Sequence, residues 1–435
     1  MITDNHPFNI NKAGHLEVGG VDAVQLASTY GTPLYVYDVS IIRENCRSFV
    51  RTFQELGVRA QVAYASKAFS TIAMLQVVNQ EGMSLDVVSQ GELYTALKAG
   101  FPVSKIHLHG NNKSLEELTM AIDHDIGCIV VDNFHEIDLI ERILENKNKT
   151  IHVLMRVTPG IEANTHQYIM TGNDDSKFGF NLNNGQADQA FFRLRNNRNI
   201  YFKGLHSHIG SQLFETEGLL LAAKLLFQKL DDWHTEYGFT PDVLNLGGGF
   251  GVRYTERDEP LLYATFVREL TAAVKEHASS IGIPIPEIWI EPGRAIAGNA
   301  GLTLYKVGSM KEIPGVRNYI SVDGGMTDNL RPALYQAEYE GVLANKASLP
   351  AAGTVSVAGK CCESGDMLIW DLPLPEVEPN DILAVFSTGA YGYSMANHYN
   401  RFSNPAVVFA ENGTAKQVVR RETYQDMVKN DISYE

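Results

Sequence analysis

VAYASKAFSTIAMLQVVNQEGMSLDVVSQGELYTALKAGFPVSKIHLHG, residues 62–110, decides the reading of the fold. Three short apolar runs, VAYASKA (62–68), SLDVVS (84–89) and IHLHG (106–110), alternate with amphipathic stretches such as GELYTALKAG. Runs of this length, rich in apolar residues and bounded by Gly or Ser, read as buried parallel strands, and the stretches between them as helices. Five more runs follow the same rule: CIVVDN (128–133), HVLMRV (152–157), KGLHSHI (203–209), VLNLGG (243–248) and EIWIEP (287–292). Among the intervening stretches, Ser114 with Glu117 three residues on forms a capping-box signature. The long pattern 218–238 stops at Gly238. Eight strands, each followed by a helix, predict a (β/α)8 TIM barrel, whose usual size is about 250 residues. A doubly wound open sheet is the alternative arrangement of the same elements. A solenoid does not fit, because the later intervals stretch and no leucine-rich signature repeats.

Beyond residue 300 the pattern changes. LTLYKVGSM, YISVDGG, TVSVAG, DILAVFST and AVVFA read as strands with turn punctuation, and Asn412-Gly413 marks a hairpin. At the other end, FNIN, HLEV and PLYVYD precede the barrel. The predicted organisation is an N-terminal segment 1–37 joining the β domain, a barrel over 38–297, and an antiparallel β domain over 298–435.

Composition narrows the function classes. The chain has 435 residues, is 44% hydrophobic and 20% charged, and carries a net charge of −15. That apolar share suits a globular protein, and the acidic balance argues against nucleic acid and anionic membranes as partners. No run of about 18 apolar residues is present. The start, MITDNHPFNINKAG, has no apolar h-region, so a cytoplasmic enzyme is expected. Cys46, Cys128, Cys361 and Cys362 are too few and too irregularly spaced for a disulfide framework.

In a barrel the active site lies at the C-terminal ends of the strands. The residues falling there are Lys67, Asp86 with Ser89, His109, Arg156, His208, Gly247 to Gly249, and Glu291 with Arg294. An amine at Lys67 is either walled by a partly apolar cup and kept neutral by desolvation, as a Schiff base requires, or a solvated lysine at a strand end. Gly247-Gly248-Gly249 after the seventh strand suits an anion approached by backbone N–H groups, or else a tight turn. His206 and His208 share one strand face, as do His107 and His109. Each pair is a candidate metal pair or a ring stacked on a planar ligand, but no HExxH or CxxC accompanies them. Glu291 can meet a ring nitrogen and Arg294 can clamp a carboxylate. Of the adjacent thiols Cys361 and Cys362, one is expected to pack and the other to lie exposed beside Glu363.

Together YASKAF, HSHIGSQ, GGGFG, EPGRAI, DGGMTDNLRPALYQA, CCESGD and GAYGYSMANHYN, spanning residues 64–400 in order, resemble the fold-type III pyridoxal-phosphate decarboxylases, in particular the diaminopimelate decarboxylase group. The resemblance implies an alanine-racemase-like barrel with a β domain, pyridoxal 5′-phosphate as cofactor, no metal, and a head-to-tail homodimer with shared active sites. It implies that Lys67 carries the cofactor and that His208 stacks on its ring, with Ser211 beside it. Gly247, Gly248, Gly249, Gly293, Arg294 and Tyr391 would bind the phosphate, and Glu291 the ring nitrogen. Arg294, Arg331 and Tyr335 would hold substrate carboxylates, with Tyr391 close by. Cys362, as proton donor, and Glu363, on the distal ammonium, would come from the partner subunit. Cys361 precedes the single cysteine usual in that string, so the role falls to Cys362 by its place beside Glu363. The implied reaction is decarboxylation of meso-2,6-diaminopimelate to L-lysine. Ornithine, arginine or lysine as substrate is the alternative on the same fold, and a metal-dependent barrel hydrolase the alternative from another class.

Overall fold

Eight parallel strands close on themselves in the computed structural model, which describes residues 7–160 and 176–435. They are Ala60–Ala65, Ser84–Val87, Ile106–Leu108, Cys128–Val131, Ile151–Thr158, Ile200–His206, Val243–Asn245 and Glu287–Ile290. Closure is set by the pairing of the eighth strand with the first, Ile288 opposite Ala60 and Ile290 opposite Val62. The fourth strand pairs with the fifth, Ile129 opposite Val153. An open doubly wound sheet would leave both edges free, so the barrel is the correct arrangement.

The helices between the strands start where their caps allow. Thr71, Ser89, Ser114 and Asn133 each accept a backbone N–H of the first helical turn, and Ser114 with Glu117 does so reciprocally. A cap of this kind contributes about 1 kcal/mol. Ser89 is therefore occupied as a helix cap rather than as a site residue. Helix Glu217–Tyr237 ends at Gly238, whose φ of 64° is left-handed.

Strand periodicity fills the barrel below its mouth. Residues two apart along a strand share a face, so Val130, Leu154, Val243 and Trp289 lie one step below Asp132, Arg156, Asn245 and Glu291. With Cys128 they form a buried apolar cluster. His107, one step below His109, stacks on Trp289 with ring centroids 4.1 Å apart and planes 6° off parallel. This layer closes the floor and leaves the charged residues at the C-terminal end.

The chain divides into two compact units. Residues 45–252 and 259–295 form the barrel unit; residues up to Glu44, 253–258 and 296 onward form the β unit. The division falls within helix Val39–Glu55, and segment 253–258 is tied to the β unit by Ser387 Oγ donating to Arg253 O at 3.0 Å. Strand Leu34–Asp38 lies between Gly301–Ile313, antiparallel, and Ala406–Glu411, parallel. Arg317–Val322 also pairs in parallel with Gly353–Ala358. The sheet is thus mixed rather than wholly antiparallel, because strands far apart in sequence need no tight turn between them. The hairpin at Asn412-Gly413 has φ of 51° and 76°, the two left-handed residues a type I′ turn demands.

Candidate active site

Every barrel strand delivers a charged or polar residue at its C-terminal end. In order round the barrel these are Lys67, Asp86, His109, Asp132, Arg156, His206, Asn245 and Glu291. Apart from Lys67 all are buried. Lys67 sits on a single 3-10 turn, Ser66–Ala68, whose flanking residues are buried while Lys67 itself is exposed. A turn of three residues sends successive side chains in three directions. The amine is therefore open to solvent within this chain, and not walled as the sequence suggests.

Glu291 is the centre of the cluster. Its carboxylate accepts from Asn245 Nδ2 at 2.6 Å and lies 3.2 Å from His206 Nε2 and 3.1 Å from His109 Nε2. Burial alone would push this carboxyl up, yet the imidazoles of His109 and His206 hold it well below the usual carboxylate range. Burial would likewise lower His109, but Asp86, 3.7 Å away, and Glu291 raise it. His206 is pushed down to about 4 by burial. The two rings meet edge to face, with centroids 5.0 Å apart. On the far side Arg156 Nη1 lies 3.8 Å from Asp132 Oδ1, and its guanidinium covers the Phe178 ring at 4.3 Å.

Neither candidate His pair within a strand converges. His107 belongs to the floor, and His208 turns to the glycine run, where Gly248 N–H donates to its Nδ1 at 3.2 Å. That bond requires a neutral ring, and burial with Lys67 holds His208 well below its ordinary range. Among the described residues, the His and carboxylate groups close enough to surround a metal are His109, His206 and Glu291. Here both Nε2 atoms already face the carboxylate oxygens.

The glycine run threads between neighbouring strand ends. A Cβ on Gly248 would lie 2.1 Å from Glu291 O, and one on Gly247 2.5 Å from Ser207 O. Gly247 N–H donates to Asn245 Oδ1 at 2.9 Å, so two of the three glycine N–H groups are engaged internally. Gly249 N–H has no protein partner among the described residues. Arg294, which follows Gly293, donates from Nη2 to Ser211 Oγ at 3.1 Å.

A second group of predicted residues gathers in the β unit. Arg331 is buried, its Nε has no hydrogen-bond partner, and no carboxylate pairs with it among the described residues. The rings of Tyr254, Tyr335 and Tyr391 surround its guanidinium at 5.2, 5.7 and 5.9 Å. Tyr391 takes a left-handed φ of 59°, a costly backbone for a bulky residue and one that clusters at functional sites. Cys361 and Cys362 differ as expected of adjacent residues. Cys361 packs against Asp366, and burial with that carboxylate pushes its thiol up to about 12. Cys362 and Glu363 are exposed.

Comparison with known proteins bears directly on this site. A family profile described as "Pyridoxal-dependent decarboxylase, pyridoxal binding domain" matches residues 39–298. The chain is 62% identical over 424 residues to the diaminopimelate decarboxylase of Bacillus subtilis (strain 168), covering 98% of this chain and 97% of that one. The chain belongs to the diaminopimelate decarboxylase family. Its fold matches the family's M. jannaschii enzyme in co-complex with L-lysine, with a TM-score of 0.92, 32% identity, and coverage of 100% of this chain and 99% of that one. The Helicobacter pylori member complexed with L-lysine matches with a TM-score of 0.85, 30% identity and coverage of 93% and 98%.

The barrel residues fit the pyridoxal group for which the family profile is described. A buried carboxylate kept ionised suits a protonated ring nitrogen, and a Gly249 N–H without a protein partner among the described residues, with Arg294 bonded to Ser211, suits a phosphate. Sequence reasoning missed Asp132, Asn245 and Tyr254. Asn245 had a signal, a lone amide inside the apolar run VLNLGG, and so did Asp132 at the end of CIVV. Tyr254 had none, because only folding brings it to Arg331.

Proposed function

We propose that this chain binds pyridoxal 5′-phosphate and decarboxylates meso-2,6-diaminopimelate to L-lysine, the last step of lysine biosynthesis, as a cytoplasmic homodimer. Buried Arg331, without an anionic partner among the described residues and walled by phenols, carries the substrate reading. Such a guanidinium is costly to leave unpaired, and a substrate with a second carboxylate supplies the missing charge. Ornithine, arginine and lysine lack that group.

When bound, the cofactor supplies a sink for the electrons left when CO2 departs. Lys67 would hold it covalently, and His208 would stack on its ring, its neutral form fixed by Gly248. Glu291 would keep a proton on the ring nitrogen, which favours decarboxylation. An arginine there would oppose that protonation. Gly249, Gly293, Arg294, Ser211 and Tyr391 would take the phosphate. Arg331 and Tyr335 would bind substrate carboxylate, and Glu363 the distal ammonium. Cys362 would deliver a proton to the carbon that CO2 leaves. The exposure of Cys362 and Glu363 on their own chain supports their action in a partner's site. The packed thiol of Cys361, which has Asp366 against it, is a poor proton donor. Cys362→Ala is therefore expected to slow lysine formation at least about tenfold, and Cys361→Ala far less. The reverse order would transfer the role to Cys361.

The test of the function is CO2 release by the purified protein with added pyridoxal phosphate, offered meso-diaminopimelate, ornithine, arginine and lysine separately. Release from diaminopimelate alone, with lysine formed, is the expected result. Release from one of the other three would keep the chemistry and overturn the reading of Arg331.

A further inference from the structure

The charged ring at the barrel mouth has an order that the assigned roles do not use. Read round the barrel, its formal charges are positive at Lys67, negative at Asp86, positive at His109 when protonated, negative at Asp132 and positive at Arg156. His206 and Asn245 then contribute neutral groups, and Glu291 closes the ring with a negative charge. With His109 protonated the signs alternate and sum to zero. With His109 neutral, buried Asp86 and Glu291 lie on either side of an uncharged imidazole, and the ring carries a surplus negative charge. A buried surplus of this kind is resolved by protonating a carboxylate.

The two imidazoles on Glu291 are bound in different ways. His206 Nε2 makes a hydrogen bond to Glu291 Oε2, and its Nδ1 is buried without a partner. His109 Nε2 lies between two buried carboxylates, 3.1 Å from Glu291 and 3.7 Å from Asp86, whereas His206 Nε2 meets Glu291 alone. A proton on His109 is therefore balanced by two carboxylates, and one on His206 by a single shared carboxylate. We infer that His109 is a positioning residue, a buried cation that keeps Glu291 ionised toward the cofactor's ring nitrogen, while His206 supplies a neutral donor that only orients the carboxylate. This rests on the function proposed above.

The electrostatics of the surrounding groups agree. Burial lowers His109, but Asp86 and Glu291 outweigh it, so its proton is held to higher pH than on an ordinary imidazole and is lost as pH climbs through the raised value. Arg156 opposes this in part, whereas burial outweighs Glu291 at His206 and leaves that ring neutral. His107, also buried, is held down to about 3 and brings no charge.

The test compares His109→Gln with His206→Gln, since glutamine can donate a hydrogen bond but carries no charge. Affinity is measured by absorbance titration with pyridoxal phosphate and with its carbocyclic analogue, in which CH replaces the ring nitrogen. His109→Gln is expected to weaken pyridoxal phosphate binding by about tenfold or more, the equivalent of one pKa unit at the ring nitrogen. It should weaken the analogue much less, and His206→Gln should lose a smaller factor with pyridoxal phosphate. Retained analogue binding also reports that the variant has folded. Equal losses with both ligands, or equal losses in both variants, would overturn the inference. A wild-type chain that binds neither ligand would instead overturn the proposed function.

Discussion

Lys67→Ala is expected to abolish turnover and, with it, the absorbance shift that accompanies covalent capture of the cofactor. Of the eight residues at the strand ends, Lys67 is the amine, and the guanidinium delivered by the fifth strand, Arg156, is occupied beside Asp132. A guanidinium cannot replace an amine as a carbonyl nucleophile. Because Lys67 is exposed on a single turn, its removal leaves no cavity. The fold should therefore survive, and loss of activity would report chemistry. Wild-type rates in Lys67→Ala, measured as CO2 release with saturating cofactor, would remove Lys67 from the reaction.

Arg331→Ala is expected to raise KM for diaminopimelate by roughly two to three orders of magnitude, with a smaller effect on kcat. Removing one partner of a buried charged pair costs about 3–5 kcal/mol, and each 1.4 kcal/mol is about tenfold. The carboxylate that Arg331 would bind is remote from the reacting carbon, so the loss falls on binding more than on the chemical step. Its phenol wall, Tyr254, Tyr335 and Tyr391, stays in place. The same variant should lose much of its discrimination against ornithine. An unchanged KM would place the substrate's distal carboxylate elsewhere.

Much of this was legible without a structure because short bounded apolar runs and strand ends are local properties. The apolar runs predict eight strands, and the rule that barrel chemistry sits at their C-terminal ends selects Lys67, Asp86, His109, Arg156 and Glu291 directly. Ser89 passed the same filter and is a helix cap, since a hydroxyl at a strand-to-helix junction is chosen for the first turn as readily as for a ligand. The glycine run shows a subtler limit. Its glycines are required by neighbouring backbone at 2.1 to 2.5 Å, so their presence does not by itself signal an anion.

What the amino-acid order determined alone is the element sequence and the identity of the strand-end residues, because each depends on contacts within about one strand and one helix, whereas closure into a barrel rests on the eighth strand pairing with the first. Tertiary structure decided who meets whom. That His109 joins His206 across the barrel, that His107 stacks on Trp289 in the floor, and that Tyr254 reaches Arg331 all depend on the register of strands far apart in the chain. It also decided protonation. Glu291 and His109 are both shifted toward their charged forms while His206 is shifted toward its neutral one, because burial penalises each charge and only specific opposite charges, brought together by closure of the barrel, outweigh it.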